Sequence, residues 1–241
     1  MLLQLDLPLP VWGTASPGES VAVAFAGQDK SATTGGGGKW RVTLDPVAAD
    51  KTPRNFTVRG ANELVLTNVV VGEVWLCSGQ SNMEWVVDNT ANFEAEKAAA
   101  DFPDIRHCKV PRAMSAFPRA DLGGSWEICS PKTAGAFSAV GFYFARKLLA
   151  ELGVPIGLLH TSWGGTPIEA WVDPKTVAAV PEWAEFQGKL HAASPASPEG
   201  LARHKQSLED LEKWTAGAEA ALAEGNPLSG PPQIKNRLQI R

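Results

Sequence analysis

Cysteine is scarce in these 241 residues, and its placement excludes more than its number does. Cys77, Cys108 and Cys129 stand far apart with no CxxC pair, which argues against a disulfide framework and against a cysteine-based zinc site. Cys77 and Cys108 fall within apolar runs, where a thiol behaves as a small core residue. The four histidines, His107, His160, His191 and His204, show no HxxxH or HExxH spacing, so a histidine metal site is not expected either. No run of about 18 apolar residues is present, so no membrane span is expected. Basic residues form no stripe, and the formal net charge is -4, which offers nothing to a phosphate backbone. Nucleic acid and membrane are therefore poor partners. The opening "MLLQLDLPLPVWG" lacks a basic start and carries Asp6, unlike a secretion signal. It reads as a strand entered partway, which points to a start upstream.

What is present is globular: 44% hydrophobic and 20% charged residues, in a chain long enough for one large domain or two modest ones. Residues 1–70 read as all-β, because "SVAVAFAGQ", "KWRVTLD" and "NFTVRGANELVLTNVVV" alternate apolar with small or polar positions. "DKSATTGGGGK" reads as the turn of a hairpin. It is not a phosphate loop, because Lys39 is followed by Trp40 and no helix pattern follows. Trp12, Trp40 and Trp75 occupy strand positions, where core packing is the default.

From residue 71 strand and helix patterns alternate, which favours a parallel sheet flanked by helices. "EVWLCSG" reads as a strand buried on both faces. "NFEAEKAAADFP" reads as a short helix ending before Pro103, and "IRHCKV" as a second strand. "SAVGFYFARKLLAELG" is the clearest helix, with Ser138 as its cap, Val140, Phe144, Leu148 and Leu152 as its apolar seam, and Gly153 as its stop. "VPIGLLHTS" is the next strand. Residues 181–200 read as a linker or surface loop. They lead into a long amphipathic helix whose seam of Leu201, Leu208, Leu211 and Leu222 suits packing.

Two glycine-bearing turns, "CSGQSNM" and "HTSWGGT", follow strands at the sheet's carboxyl edge, where ligands gather in such folds. Ser81 stands just past a strand and behind Gly79, on a turn that would expose a nucleophile. On the local pattern alone a capping or turn serine fits better, since Met83 breaks GxSxG. Gly164 and Gly165 let backbone N–H groups face a cleft, or simply reverse the chain.

"VGEVWLCSGQSNMEW", "GSWEICSP", "FSAVGFYFARKL", "GVPIGLLHTSWGGTPIEAWV" and "NPLSG", in that order, resemble the sialate O-acetylesterase family of the SGNH (GDSL-like) hydrolases. The resemblance runs to about Ser229. It implies an α/β fold: a three-layer α/β/α domain with a parallel sheet, incomplete here, behind a small β-sandwich region. The implied boundaries are 1–70 for the sandwich and 71–230 for the hydrolase part, with a loop and helical insertion at 181–225 and an unrelated tail at 231–241.

The same resemblance makes Ser81 the nucleophile that forms an acetyl-enzyme, and Gly164 and Gly165 contributors to the oxyanion hole. It implies O-acetylated sugars or polysaccharides as substrates, with no metal or organic cofactor. Family members are often exported. The family pattern then calls for a WYQGE-type block and a late Asp-x-x-His block, neither of which follows Gly230. A gene fragment, a frameshift or an early stop would each account for this. The chain is expected to be inactive as it stands, since His160, at the edge of the sheet, more often serves a packing role than a base. The competing reading is a non-catalytic carbohydrate-binding or structural module.

Overall fold

A computed structural model describes residues 1–115, 119 and 123–232. Contacts divide the chain into two compact units, Met1–Gly165 and Thr166–Arg241.

The first unit begins with strands β1 (Leu2–Gln4), β2 (Leu9–Thr14), β3 (Ser20–Phe25), β4 (Gln28–Thr33), β5 (Lys39–Leu44) and β6 (Asp50–Arg59). The long strand β7 (Glu63–Cys77) follows. β2 and β5 pair antiparallel as a separate two-stranded sheet. Alternation sets the core here: Val21, Val23 and Phe25 of β3 and Trp40, Val42 and Leu44 of β5 turn inward on every second residue. They close a hydrophobic cluster with Phe56, Val69 and Val71.

Two expectations for this region are corrected. The stretch Gln28–Thr33 is a strand, and the hairpin joins β3 to β4 through Ala26 and Gly27, both at positive φ. The glycine run instead carries the chain from β4 to β5, which lie in different sheets. Trp12 does not enter the core: it is 60% exposed, whereas Trp40 is buried.

β7 continues into a second core. Its first half pairs with β6 and, in parallel, with β1; its last five residues pair in parallel with β10 (Ile156–His160). β10 pairs in parallel with β8 (Phe102–Lys109), and β9 (Trp126–Cys129) closes that edge antiparallel. The sheet order is β4-β3-β6-β7-β10-β8-β9. At Gly72 a side chain would collide with the carbonyl of Pro155, so glycine is what lets the chain entering β10 close on β7.

Helices α1 (Ser81–Glu84), α2 (Phe93–Ala98) and α3 (Ala139–Leu152) complete this unit. Ser138 caps α3 by accepting from Gly141 N–H at 3.2 Å, and Gly153 ends it at φ 67°, as the sequence indicates. The buried face is not the seam read from spacing. Ala139, Phe142 and Ala145 are buried, while Val140, Phe144 and Leu152 are exposed. Ala139, Gly141 and Ala145 share the inner face with the bulky Phe142, and Leu148 of the expected seam packs partly buried against the same core. A Cβ on Gly141 would stand 3.1 Å from Cys77 Sγ. All three cysteines are buried free thiols.

β7 is also more open than its apolar run suggests. Trp75 is 41% and Leu76 66% exposed. Residues 73–77 carry β10 on one side and no strand on the other among the described residues.

The second unit contains α4 (Pro174–Ala178), α5 (Ala184–Ala193) and α6 (Pro198–Ala223). Much of 181–200 is therefore helical rather than a loop. Asp173 caps α4 and Ser197 caps α6 through side-chain oxygens. Leu201, Leu208, Leu211 and Leu222 are exposed, so the seam of α6 is not a buried packing face here. No described helix is long and apolar enough to cross a membrane. Most of the tail beyond Gly230 lies outside the described residues.

Candidate active site

The site grows from the carboxyl ends of neighbouring parallel strands. β7 ends at Cys77, and Gly79 turns the chain at φ 133°, a backbone state open to glycine. Ser81 then opens the single turn α1 with its side chain exposed. β10 ends beside it at His160, and the two following loops are stitched together by backbone. Thr161 N–H donates to Cys77 O at 3.0 Å and Trp163 N–H donates to Gly79 O at 2.9 Å.

This stitching brings the "SWGG" turn onto the serine. A side chain on Gly164 would place its Cβ 3.3 Å from Ser81 Oγ and 2.7 Å from Glu84 Oε2. Any side chain at 164 would have to move the Glu84 carboxylate. Gly165, next along, sits at φ 77°. Ser81, Gly164 and Gly165, singled out from sequence, are thus neighbours in space, though 80 residues separate the two turns.

The helix that carries Ser81 is pinned from behind by α3. Ser138 Oγ donates to Met83 O at 2.6 Å while accepting from Gly141 N–H, and Ala139 N–H donates to Trp85 O at 2.8 Å. One serine therefore caps α3 and anchors α1.

The two histidines of this unit are engaged with other groups. His160 is buried; its Nε2 meets Ser162 Oγ at 2.5 Å and its Nδ1 meets His107 Nε2 at 3.3 Å. With both ring nitrogens bonded to groups other than Ser81, it is the packed residue that its strand position implies. His107 is buried as well, stacked on Phe137 with ring centroids 4.3 Å apart, and its Nδ1 has no hydrogen-bond partner among the described residues. Burial lowers the pKa of His107 to about 3, helped by the charges of His160 and Lys109. It lowers that of His160 to about 4, helped by Lys109. Both rings are therefore neutral near neutral pH.

Glu84 is a site residue that the sequence reading passed over. Its Oε2 accepts from Gly164 N–H at 2.8 Å, and its Oε1 forms an ion pair with Arg112 Nη2. The guanidinium of Arg112 lies 5.5 Å from the centroid of the Trp163 ring, over its face. The available signal was spacing: Glu84 follows Ser81 by three residues, which on a helical turn puts both on one side. Among the described residues no cluster of His, Cys, Asp and Glu is arranged to hold a metal ion.

The family model described as carbohydrate esterase, sialic acid-specific acetylesterase, matches residues 71–192, the segment that holds both turns. The chain belongs to this family. Sialate O-acetylesterases of Rattus norvegicus and Homo sapiens are 36% and 34% identical to it over 194 residues, or 70% of this chain. The chain spans about a third of their length, 35% and 36% respectively. Among solved structures, a carbohydrate acetylesterase from Xanthomonas citri is 42% identical with a TM-score of 0.71. That likeness covers 73% of this chain and 41% of the other. The α/β architecture expected from the sequence is thus the one this acetylesterase family member has.

Proposed function

We propose that this chain carries the nucleophile side of a carbohydrate O-acetylesterase centre, with Ser81 as nucleophile and the Gly164–Gly165 turn as its oxyanion side. The observation that carries the reading is the approach of Gly164 to Ser81 Oγ, on loops that leave adjacent parallel strands. The named activities of the relatives supply the reaction class, and O-acetylated sugars are the substrate class that follows. We also place the boundary between a β-sandwich region and the hydrolase part near residue 70, since the two hydrophobic clusters meet along β7.

In the reaction Ser81 Oγ bonds to the acetyl carbonyl carbon, and the carbonyl π electrons move onto oxygen. Backbone N–H groups beside Gly164 steady that oxyanion. Collapse expels the sugar oxygen, which takes a proton, and water then releases acetate from Ser81. Each half needs a base. His107 and His160 are buried, bonded to one another and depressed in pKa, so neither supplies it. Turnover that relied on these two rings would therefore be slow. In a serine hydrolase, loss of the triad histidine costs on the order of 10⁶ in kcat.

Labelling with a serine-directed fluorophosphonate tests the assignment. Slow modification mapped to Ser81 is the expected result, and modification confined to other serines sinks it. Exposed Trp12 on β2 keeps one other reading in play, that of a carbohydrate-binding module. Polysaccharide binding that survives Ser81→Ala and is lost in Trp12→Ala would favour it.

A further inference from the structure

The Gly164 N–H cannot be read as an empty oxyanion donor, because it already holds an anion. Glu84 reaches it from α1 at 2.8 Å, and the second oxygen of the same carboxylate pairs with Arg112. A backbone amide and a guanidinium thus grip the two oxygens of one carboxylate, each through a charge-assisted hydrogen bond. Arg112 in turn rests over Trp163, next in sequence to Gly164. The grip adjoins the candidate nucleophile, since a single added atom on Gly164 would touch both Glu84 and Ser81.

We infer that Gly164 N–H and Arg112 form a binding seat for a small monocarboxylate such as acetate, which the Glu84 carboxylate fills from within the chain. The seat is defined by its two donors and does not depend on chemistry at Ser81. Its meaning rests on the proposed function: acetate is the acid an O-acetylesterase releases, and the seat lies beside the serine that releases it. One N–H serves one strong acceptor, so Glu84 and a substrate oxygen compete for Gly164. Glu84 then sets how readily the oxyanion side of the site can be entered.

The test follows the Gly164 amide in ¹⁵N-labelled full-length chain by NMR, with sodium acetate as titrant and sodium chloride at equal ionic strength as control. In Glu84→Ala the Gly164 amide proton is expected to move upfield, and acetate to return it saturably while chloride does not. Acetate should bind wild type at least about tenfold more weakly, because the seat is filled. The double variant Glu84→Ala with Arg112→Ala should lose about tenfold in acetate affinity, the worth of one charge-assisted bond.

Equal acetate affinity in wild type and Glu84→Ala overturns the inference, as does a folded Glu84→Ala chain whose Gly164 amide ignores acetate. Should Glu84→Ala fail to fold, Glu84→Gln decides. It keeps an acceptor but not the charge, so acetate should displace it more easily than it displaces Glu84, and acetate affinity equal to wild type would contradict the seat. Ser81→Ala should leave acetate binding unchanged within about twofold. Failure of Ser81 as nucleophile would instead show in labelling and turnover, so the two ideas fail separately.

Discussion

At the scale of single residues the site is a matter of clearance. Gly164 is the tightest point: any side chain must displace Glu84 or push on Ser81. Gly164→Ala is expected to cost only about 0.5 kcal/mol, because the Glu84 carboxylate can swing aside, read as a slightly lower urea midpoint at unchanged m-value. Phosphonate labelling of Ser81 should fall with it. The buried histidine pair gives a second residue-scale expectation. Both rings have folded-state pKa values below the ordinary 6.5, so between those values the unfolded chain binds more protons. Stability is complete above about pH 6.5 and is lost progressively as pH falls toward about 4 and then 3. Unfolding free energies from urea titrations at about pH 7.5 and about pH 5 should differ by about 2 kcal/mol for each ring, about 4 for the pair, with the acid side weaker. His160→Gln should flatten that slope, and an equal slope in the variant would contradict the assignment.

At the scale of elements, α3 is the scaffold on which the Ser81 turn is built. Ser138 satisfies the first turn of α3 and the carbonyl of Met83 together. Ser138→Ala should therefore cost more than a simple cap, about 2 kcal/mol against the usual ~1, and should broaden the amide signals of α1. A loss of about 0.5 kcal/mol with α1 unaffected would show that the Met83 contact carries little. The cap itself was legible, because serine before a helical run and glycine after it state both ends of α3. Its second bond was not, since the partner lies 55 residues away. The buried face of α3 was misjudged for a physical reason. Large side chains at helical spacing suggest a seam, but spacing alone does not say which side meets the sheet: Ala139, Gly141, Phe142 and Ala145 turn inward, and Val140 and Phe144 stay outside. The glycine run failed similarly: it showed that a turn was present, while the polar strand β4 before it lacked the apolar alternation that marks strands.

At the scale of the whole molecule, the order of strands explains why two distant motifs lie side by side. β10 pairs with β7 in parallel, so both loops leave the same edge of the sheet. The pairing of the two turns was legible from their common place after strands. The placing of Glu84 on Gly164 was not, because it depends on how α1 and the "SWGG" turn are set against each other. The same strand order leaves residues 73–77 of β7 as an open edge with Trp75 and Leu76 exposed. Such an edge invites pairing between chains. Sedimentation velocity should show association that grows with protein concentration, and Leu76→Lys should reduce it; a monomer at all concentrations would contradict this.

We propose that Ser81 is a nucleophile beside its oxyanion side, while the histidines of its own unit are bonded to other groups. Hydrolysis of p-nitrophenyl acetate, compared between wild type and Ser81→Ala with and without added imidazole, tests it most directly. Without imidazole the two rates should agree within about twofold, and imidazole, acting as the missing base, should raise the wild-type rate above that of Ser81→Ala. A large Ser81-dependent rate without imidazole would show that the chain already holds a base, and no Ser81-dependent increment at any imidazole concentration would show that Ser81 is not the nucleophile.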